Sequence, residues 1–298
     1  MVRTTVNDTT GAQFPTRLLV FGMAHPDGTV LASELYPVAE ACGLSPEQVR
    51  SCLRRLAREG LLKGEGNGRD ARFLATPSGM GELGFDIERT RVAYAQDSAG
   101  SGWDRHWRLV GFAIPEKRRS ARDSLRDHLI RLGGAAIQGG LYVSPHPWHK
   151  DVMAEAHHLH VIDHVTAAVT DDLSVGRDSD PREIVRRLWP IDQLANKYRH
   201  FITQYNPVLD ALREMDRSRV ALPDEVFLPS ALTMAVAFRG CFESDPLLPP
   251  ELLPRPWPGR AARDIVVKSR RLALSLREKQ GRPSLFRIFD DIITEVTP

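Results

Sequence analysis

The densest chemistry in this chain is cationic. Arg50, Arg54 and Arg58 recur at i, i+4 and i+8, with Arg55 beside them, in a stretch whose Val49, Cys52, Leu53 and Leu56 recur at helical spacing. With the apolar set turned inward, the arginines must fill the outer faces of one helix. A major groove admits one α-helix, and the forked guanidinium suits both guanine's two acceptors and phosphate oxygens. Between residues 50 and 72 stand seven basic groups (Arg50, Arg54, Arg55, Arg58, Lys63, Arg69, Arg72) against three acidic ones (Glu59, Glu65, Asp70). Residues 1–90 together hold ten basic and eleven acidic groups, so the positive charge is local to this stretch. The expected DNA-facing set is those seven cations with Ser45, Gln48 and Ser51. Arg54 and Arg50 are expected nearest base edges, and Arg55, Arg58, Arg69 and Arg72 on phosphates.

The elements that must position these residues are also legible. Leu18 to Met23 reads as a short buried helix and Leu31 to Ala41 as a second, with a break at Gly43. Ser45 supplies an N-cap oxygen and Pro46 suits the first helical position of a third helix, which ends at Gly60. Leu61-Leu62-Lys63 and Arg72-Phe73-Leu74-Ala75 then bracket a Gly-rich tip, the signature of a β-hairpin. Helix, turn, helix and hairpin predict a winged helix-turn-helix over residues 14–90. An arginine-lined helix face is often only a solvated face; the element order and the acid-poor line favour DNA.

Two polar stretches, Ala95 to Gly102 and Asp171 to Asp180, read as spacers. Between them, strand (Trp107 to Ile114), helix (Leu125, Leu129, Leu132 inward), strand (Ala136 to Ser144), helix (Asp151 to about Val161) and strand (Val165 to Val169) predict a small α+β domain over 103–175. Residues 181–298 read as mainly helical, with stripes at Ile191 to Tyr205, Ala231 to Phe242, Ala261 to Leu276 and Leu285 to Val296. The fold class expected is α+β and multidomain.

Composition narrows the function. The 298 residues carry a formal net charge of only +2, so a nucleic-acid surface has to be a patch. Of the 40 basic residues 34 are Arg, which by itself reflects genome composition as readily as function. No run approaches the ~18 consecutive apolar residues of a spanning helix, and the first fifteen residues hold no signal-peptide core, so no membrane partner is expected. Three scattered cysteines (Cys42, Cys52, Cys241) suit a reducing cytoplasm and make neither a disulfide framework nor a thiolate metal site. No nucleophile elbow, P-loop or dinucleotide fingerprint is present. His157, His160 and His164 would share a face if helical and could offer zinc three imidazoles, with His158 and Asp163 alongside; His146 and His149 make a weaker pair. A polar helix end is the plainer reading, and no metal, cofactor or catalytic centre is expected.

Arg17-Leu-Leu-Val-Phe-Gly22, the run from Leu44 to Leu62 and the run from Gly68 to Gly79 resemble the winged-helix part of PaaX-type repressors, bacterial regulators of phenylacetate degradation. Trp103-Asp-Arg-His-Trp107, Ile114-Pro-Glu116 and Gly140-Leu-Tyr-Val-Ser-Pro145 are similar to that family's central domain, and Leu188-Trp-Pro190 with the run from Asp245 to Gly259 to its C-terminal domain. The wing departs from the family pattern at Asp70-Ala71, as does Ala237 to Phe242. The resemblance implies a ferredoxin-like central domain akin to Cas2 endoribonucleases, a helical C-terminal domain over 181–298 for effector binding and dimerisation, and an aryl-acyl coenzyme A thioester as effector. Where Cas2 enzymes keep a metal-holding Asp, this chain has Ala113, which argues against nuclease activity. All five Trp lie beyond residue 100. Tyr142, Trp189 and Tyr198 are the expected walls of an aromatic effector cleft, with Arg239 as its anionic anchor. The expected partners are palindromic operator DNA and a second copy of the chain.

Overall fold

A computed structural model describes residues 16–99, 102–277 and 285–290. In chain order the first elements are helix α1 (Thr16–Gly22), strand β1 (Thr29–Leu31), helices α2 (Ala32–Ala41) and α3 (Pro46–Arg58), strands β2 (Leu62–Glu65) and β3 (Arg72–Ala75) and helix α4 (Pro77–Ala99). The strands form an antiparallel sheet in the order β1-β3-β2. β1 was not legible: Thr29 and Val30 carry no assignment and Leu31 reads as the start of the second helix, but Val30 pairs with Phe73 and the helix starts at Ala32. The spacer expected at Ala95 to Gly102 is helical as far as Ala99, because α4 runs on through it.

Next come β4 (Trp107–Phe112), α5 (Arg119–Arg131), β5 (Ala135–Gln138), β6 (Leu141–Ser144), α6 (His149–His158) and β7 (Val165–Thr170). Their antiparallel sheet has the order β5-β6-β4-β7. The stretch expected to be one strand from Ala136 to Ser144 is a hairpin. Gly139-Gly140 makes its turn, and Gly140 sits at φ 75°, where a Cβ would lie 2.6 Å from the Phe112 carbonyl oxygen. Side chains alternate across the sheet. Val110 and Tyr142 face a core with Leu125, Leu129, Trp148 and Val152 of α5 and α6, while Trp107 and Val143 face the other side.

The remaining helices are α7 (Pro181–Leu188), α8 (Ile191–Arg217), α9 (Asp224–Phe242) and α10 (Pro258–Leu276). The helix expected over Leu285 to Val296 is described only to Asp290, where a short 3-10 turn spans Arg287–Phe289; its remainder lies outside the described residues. α9 begins seven residues earlier than its stripe suggested. By length and composition it could cross a membrane, but Phe227, Leu228 and Leu232 are buried in a core.

The chain divides into two compact units, one within residues 1–94, 200–240 and 261–298 and the other within 95–199 and 241–260. In the first, Leu19, Leu35, Val49 and Leu56 are fully buried in one cluster with Leu212 of α8, Leu232 of α9 and Leu285. Each such side chain contributes about 1.5–3 kcal/mol on burial, so the face of α3 that carries Val49 and Leu56 is fixed. In the second, Trp107 and Val143 meet Ile184 and Trp189 of the α7 region and Leu248 and Leu252.

Candidate nucleic-acid interface

Helix α3 starts where its sequence dictates. Ser45 Oγ accepts from the Gln48 amide at 3.3 Å and Gln48 Oε1 accepts from the Ser45 amide at 2.8 Å, a reciprocal capping box, with Pro46 at the first turn. These cap bonds use Ser45 Oγ and Gln48 Oε1 as acceptors, leaving the Ser45 hydroxyl proton and the Gln48 side-chain nitrogen as the donors the two can offer to DNA. Val49, Cys52, Leu53 and Leu56 are buried, as the spacing predicts. Arg50, Ser51, Arg54, Arg55 and Arg58 are all exposed.

The arginines differ in their partners. Arg50 pairs with Glu47 one turn earlier. Arg55 lies 3.9 Å from Glu59, which is also engaged by Arg17 of α1 at 2.7 Å; the same Arg17 reaches Glu82 of α4 at 2.6 Å. Burial works to lower the Arg17 pKa, but its bonds to Glu82 and Glu59 outweigh it and raise it. Arg17 thereby ties the end of α3 to the start of α4 and draws Glu59 away from the cationic line, a positioning role that sequence reasoning missed. Its partners are 42 and 65 residues away, so no local pattern reports it. Arg54 and Arg58 have no ion pair among the described residues.

The hairpin after α3 carries the rest of the expected set. Gly66 at φ 74° and Gly68 at φ 62° turn the tip, where a short 3-10 turn holds Arg69 exposed. Glu65 is the register partner of Arg72. Its carboxylate lies 3.8 Å from Arg72 and 3.4 Å from Lys63, so one acid serves two cations. Arg69 has no ion pair among the described residues. Thr76 and Gly79 seat α4 against the hairpin: Thr76 Oγ1 donates to the Gly60 carbonyl at 2.5 Å, and a Cβ on Gly79 would stand 2.1 Å from the Leu61 carbonyl oxygen.

Beneath this face lies a thiol. Burial pushes the Cys52 pKa up although the Arg55 guanidinium, 3.9 Å from its sulfur, opposes the shift. Burial alone pushes Cys42 up to about 12. Both sit in the core as protonated thiols, and neither has the low-pKa, exposed character of a reactive cysteine.

Three of the expected effector residues sit in the second unit. Tyr142 is 6% exposed and stacks on Phe112 at 5.6 Å. Trp189 is buried, donates from Nε1 to the Gly133 carbonyl at 3.1 Å and stacks on Trp107. Tyr198 is fully buried; its hydroxyl donates to Asp245 at 2.7 Å and its ring meets Trp257 edge-on. Arg239 is exposed on α9 in the part assigned to the first unit. The histidine cluster does not assemble. α6 ends at His158 and His160 takes a left-handed φ of 56°, so His157, His160 and His164 do not share a helix face. Among the described residues no group of three or more His, Cys, Asp or Glu side chains is placed to hold a metal. Ala113 follows β4, its amide donating to the His164 carbonyl at 3.0 Å.

Comparison with known proteins agrees with this architecture. Residues 100–185 match the model described as the PaaX protein central Cas2-like domain, and residues 189–279 match the PaaX-like protein C-terminal domain. The chain is 26% identical over 246 residues to the transcriptional repressor PaaX of Escherichia coli (strain K12), spanning 82% of this chain and 74% of that protein. Its fold is similar to that of the uncharacterized protein Rv0674 from Mycobacterium tuberculosis, with a TM-score of 0.52 and 20% identity over 86% of this chain and 93% of that one. Two family domains matched in consecutive order, beside that identity, assign the chain: it belongs to the PaaX family of transcriptional regulators.

Proposed function

We propose that this chain is a cytoplasmic, DNA-binding transcriptional repressor. In this reading residues 14–90 form a winged helix that holds operator DNA, residues 103–175 a ferredoxin-like central domain, and residues 181–298 the segment for effector binding and dimerisation. The observation that carries it is the face of α3 and the following hairpin, where Arg54, Arg58 and Arg69 stand exposed without ion pairs among the described residues. Cations already free of carboxylates bind phosphate without first breaking a pair. α3 enters the major groove, Arg50 and Arg54 read base edges, and Arg55, Arg58, Lys63, Arg69 and Arg72 hold phosphates.

The second part of the reading is a homodimer on a palindromic site, its half-sites one helical turn of about 34 Å apart or a multiple of that. Strand β7 supports it. This edge strand exposes Thr166, Ala167, Ala168 and Val169 and carries no charge, none of the usual protection of a free edge. The bond from the Ala113 amide to the His164 carbonyl fixes the hydrogen-bond alternation of the β4–β7 register. Extended along the strand, it turns the amides of Thr166, Ala168 and Thr170 toward β4 and those of Val165, Ala167 and Val169 outward. A two-fold axis through Ala167 lets those outward groups pair with the same strand of a second copy.

The third part is release by a small-molecule effector, an aryl-acyl coenzyme A thioester by family resemblance. Release requires the ligand to bind the non-DNA-binding conformation more tightly, since equal affinity for both shifts nothing. The test of the whole is titration of labelled duplex from upstream of the chain's own gene, with and without phenylacetyl coenzyme A. Operator binding at least about 10³-fold tighter than to scrambled duplex is expected; equal affinity for the two duplexes refutes the repressor reading.

A further inference from the structure

In the second unit, α7 and the segment after the Pro250–Leu252 3-10 turn border a solvent-open pocket of about 320 Å³ lined by Arg182, Arg186, Leu252, Leu253, Pro254 and Arg255, the three arginines being exposed. Its charge is lopsided. Three of the six lining residues are arginines and none is acidic. Spacing i, i+4 puts Arg182 and Arg186 on one face of α7, while Ile184 and Val185 are buried on the other. Asp180 caps α7 through the amides of Arg182 at 2.9 Å and Glu183 at 3.2 Å, which fixes where that face points.

The guanidinium groups are unevenly used. Arg182 Nε donates to the Glu251 carbonyl at 2.9 Å, which orients its fork and leaves the two terminal nitrogens available. Arg186 pairs with Glu183 at 2.6 Å, both exposed. Arg255 has no ion pair or hydrogen bond among the described residues. The apolar wall is rigid: Leu252 and Leu253 are 3% and 6% exposed, and their amides donate to the Pro249 and Pro250 carbonyls. Solvent and the Glu183 carboxylate screen the repulsion among these exposed guanidinium groups, and an anion seated between them would gain charge-assisted hydrogen bonds from each. A carboxylate can accept one fork, whereas a phosphate or diphosphate presents enough oxygens for three.

We propose that this pocket binds the phosphate or diphosphate ester group of a small molecule whose adjoining apolar portion lies along Pro254. The proposal rests on the effector-controlled reading above and names the part of the effector that this unit grips. It does not use Tyr142, Trp189, Tyr198 or Arg239. At about 320 Å³ the pocket matches the lower end of ligand pockets, a polar head group rather than a whole extended ligand.

The experiment uses the full-length chain, first without DNA and then with labelled operator duplex. Binding of inorganic pyrophosphate, phenylacetyl coenzyme A and phenylacetate is measured by calorimetry for the wild type, Arg255→Gln, Arg186→Gln and Arg182→Lys. The first two substitutions are on exposed side chains, and unchanged melting temperatures report intact folding. The expected result is binding of pyrophosphate and the thioester, weakened at least tenfold in Arg255→Gln and Arg186→Gln, with no binding of phenylacetate. Arg182→Lys keeps the charge but loses the fork, and is expected to weaken binding severalfold. Equal affinity of the phosphate compounds for wild type and variants overturns the proposal. So does weaker operator binding by Arg255→Gln in the absence of small molecules, which would assign these cations to the DNA backbone. Arginine-dependent binding with no change in operator affinity leaves this site standing and instead refutes the thioester as effector.

Discussion

Replacing Arg54 by Ala tests the DNA reading most sharply. Arg54 stands one turn after Arg50 and one before Arg58 on the exposed face of α3, and has no ion pair among the described residues. The line from Arg50 to Arg58 spans about 12 Å at 1.5 Å per residue, comparable with the width of the major groove. Because Arg54 holds no carboxylate, its removal leaves no acid unpaired, and the loss reports the DNA contact alone. A base-reading arginine is worth about 1–3 kcal/mol, or roughly five- to 150-fold in affinity, and its loss relaxes discrimination between operator and scrambled duplex. Arg69→Ala, at the hairpin tip, is expected to weaken both duplexes alike and to flatten the slope of log K against log salt by about 1. Both side chains are exposed, so thermal stability should stay within about 0.5 kcal/mol of wild type. The assay is fluorescence anisotropy on both duplexes across about 50–200 mM salt. A folded Arg54→Ala that keeps operator affinity and discrimination within twofold refutes the reasoning, and an unaffected Arg50→Ala, Arg54→Ala double variant removes α3 from the groove altogether.

Other expectations follow from the same geometry. Glu65 lies between Lys63 and Arg72, so Glu65→Gln should free two cations and tighten binding to any duplex severalfold, with a steeper salt slope; unchanged affinity would mean the hairpin stays off the backbone. Val169→Lys puts a charge on the free edge of β7, and light scattering should then give a mass near the 33.3 kDa monomer, whereas a persistent dimer places the interface elsewhere. Glu34 is raised by burial, but its bonds and charge contacts with Arg287 and His25 prevail and hold its pKa below the usual glutamate value of 4.5. A depressed carboxylate stabilises the fold above its unfolded pKa and loses that contribution as pH falls through its folded pKa. Arg287→Ala should therefore cost about 1 kcal/mol or less at pH 7, given partial exposure of both groups, and the difference from wild type should shrink below pH 4.5; a pH-independent difference in urea melts would assign the effect to packing instead.

What the sequence determined by itself is what depends on near neighbours along the chain. Ser45, Pro46 and Gln48 start α3 because a cap involves residues three apart, and the period of Val49, Cys52, Leu53 and Leu56 turns Arg54 and Arg58 outward because 3.6 residues make a turn. The glycines at 66 and 68 mark the hairpin tip because only they take its left-handed backbone cheaply. Tertiary structure decided the rest. Thr29–Leu31 becomes a strand only because β3 offers it a ladder, and three residues are too few to show a period. Ala136 to Ser144 carries a hairpin turn pair at Gly139-Gly140 that a one-strand reading passes over, whereas the placing of β6 rather than β5 beside β4 is decided by packing. Arg17 finds Glu59 and Glu82, and Arg182 meets Arg255 around one pocket, across separations at which sequence carries no geometric signal. Periodicity and capping are local and read directly, whereas ion pairs, edge strands and cavities belong to the folded chain, because their partners are chosen by packing.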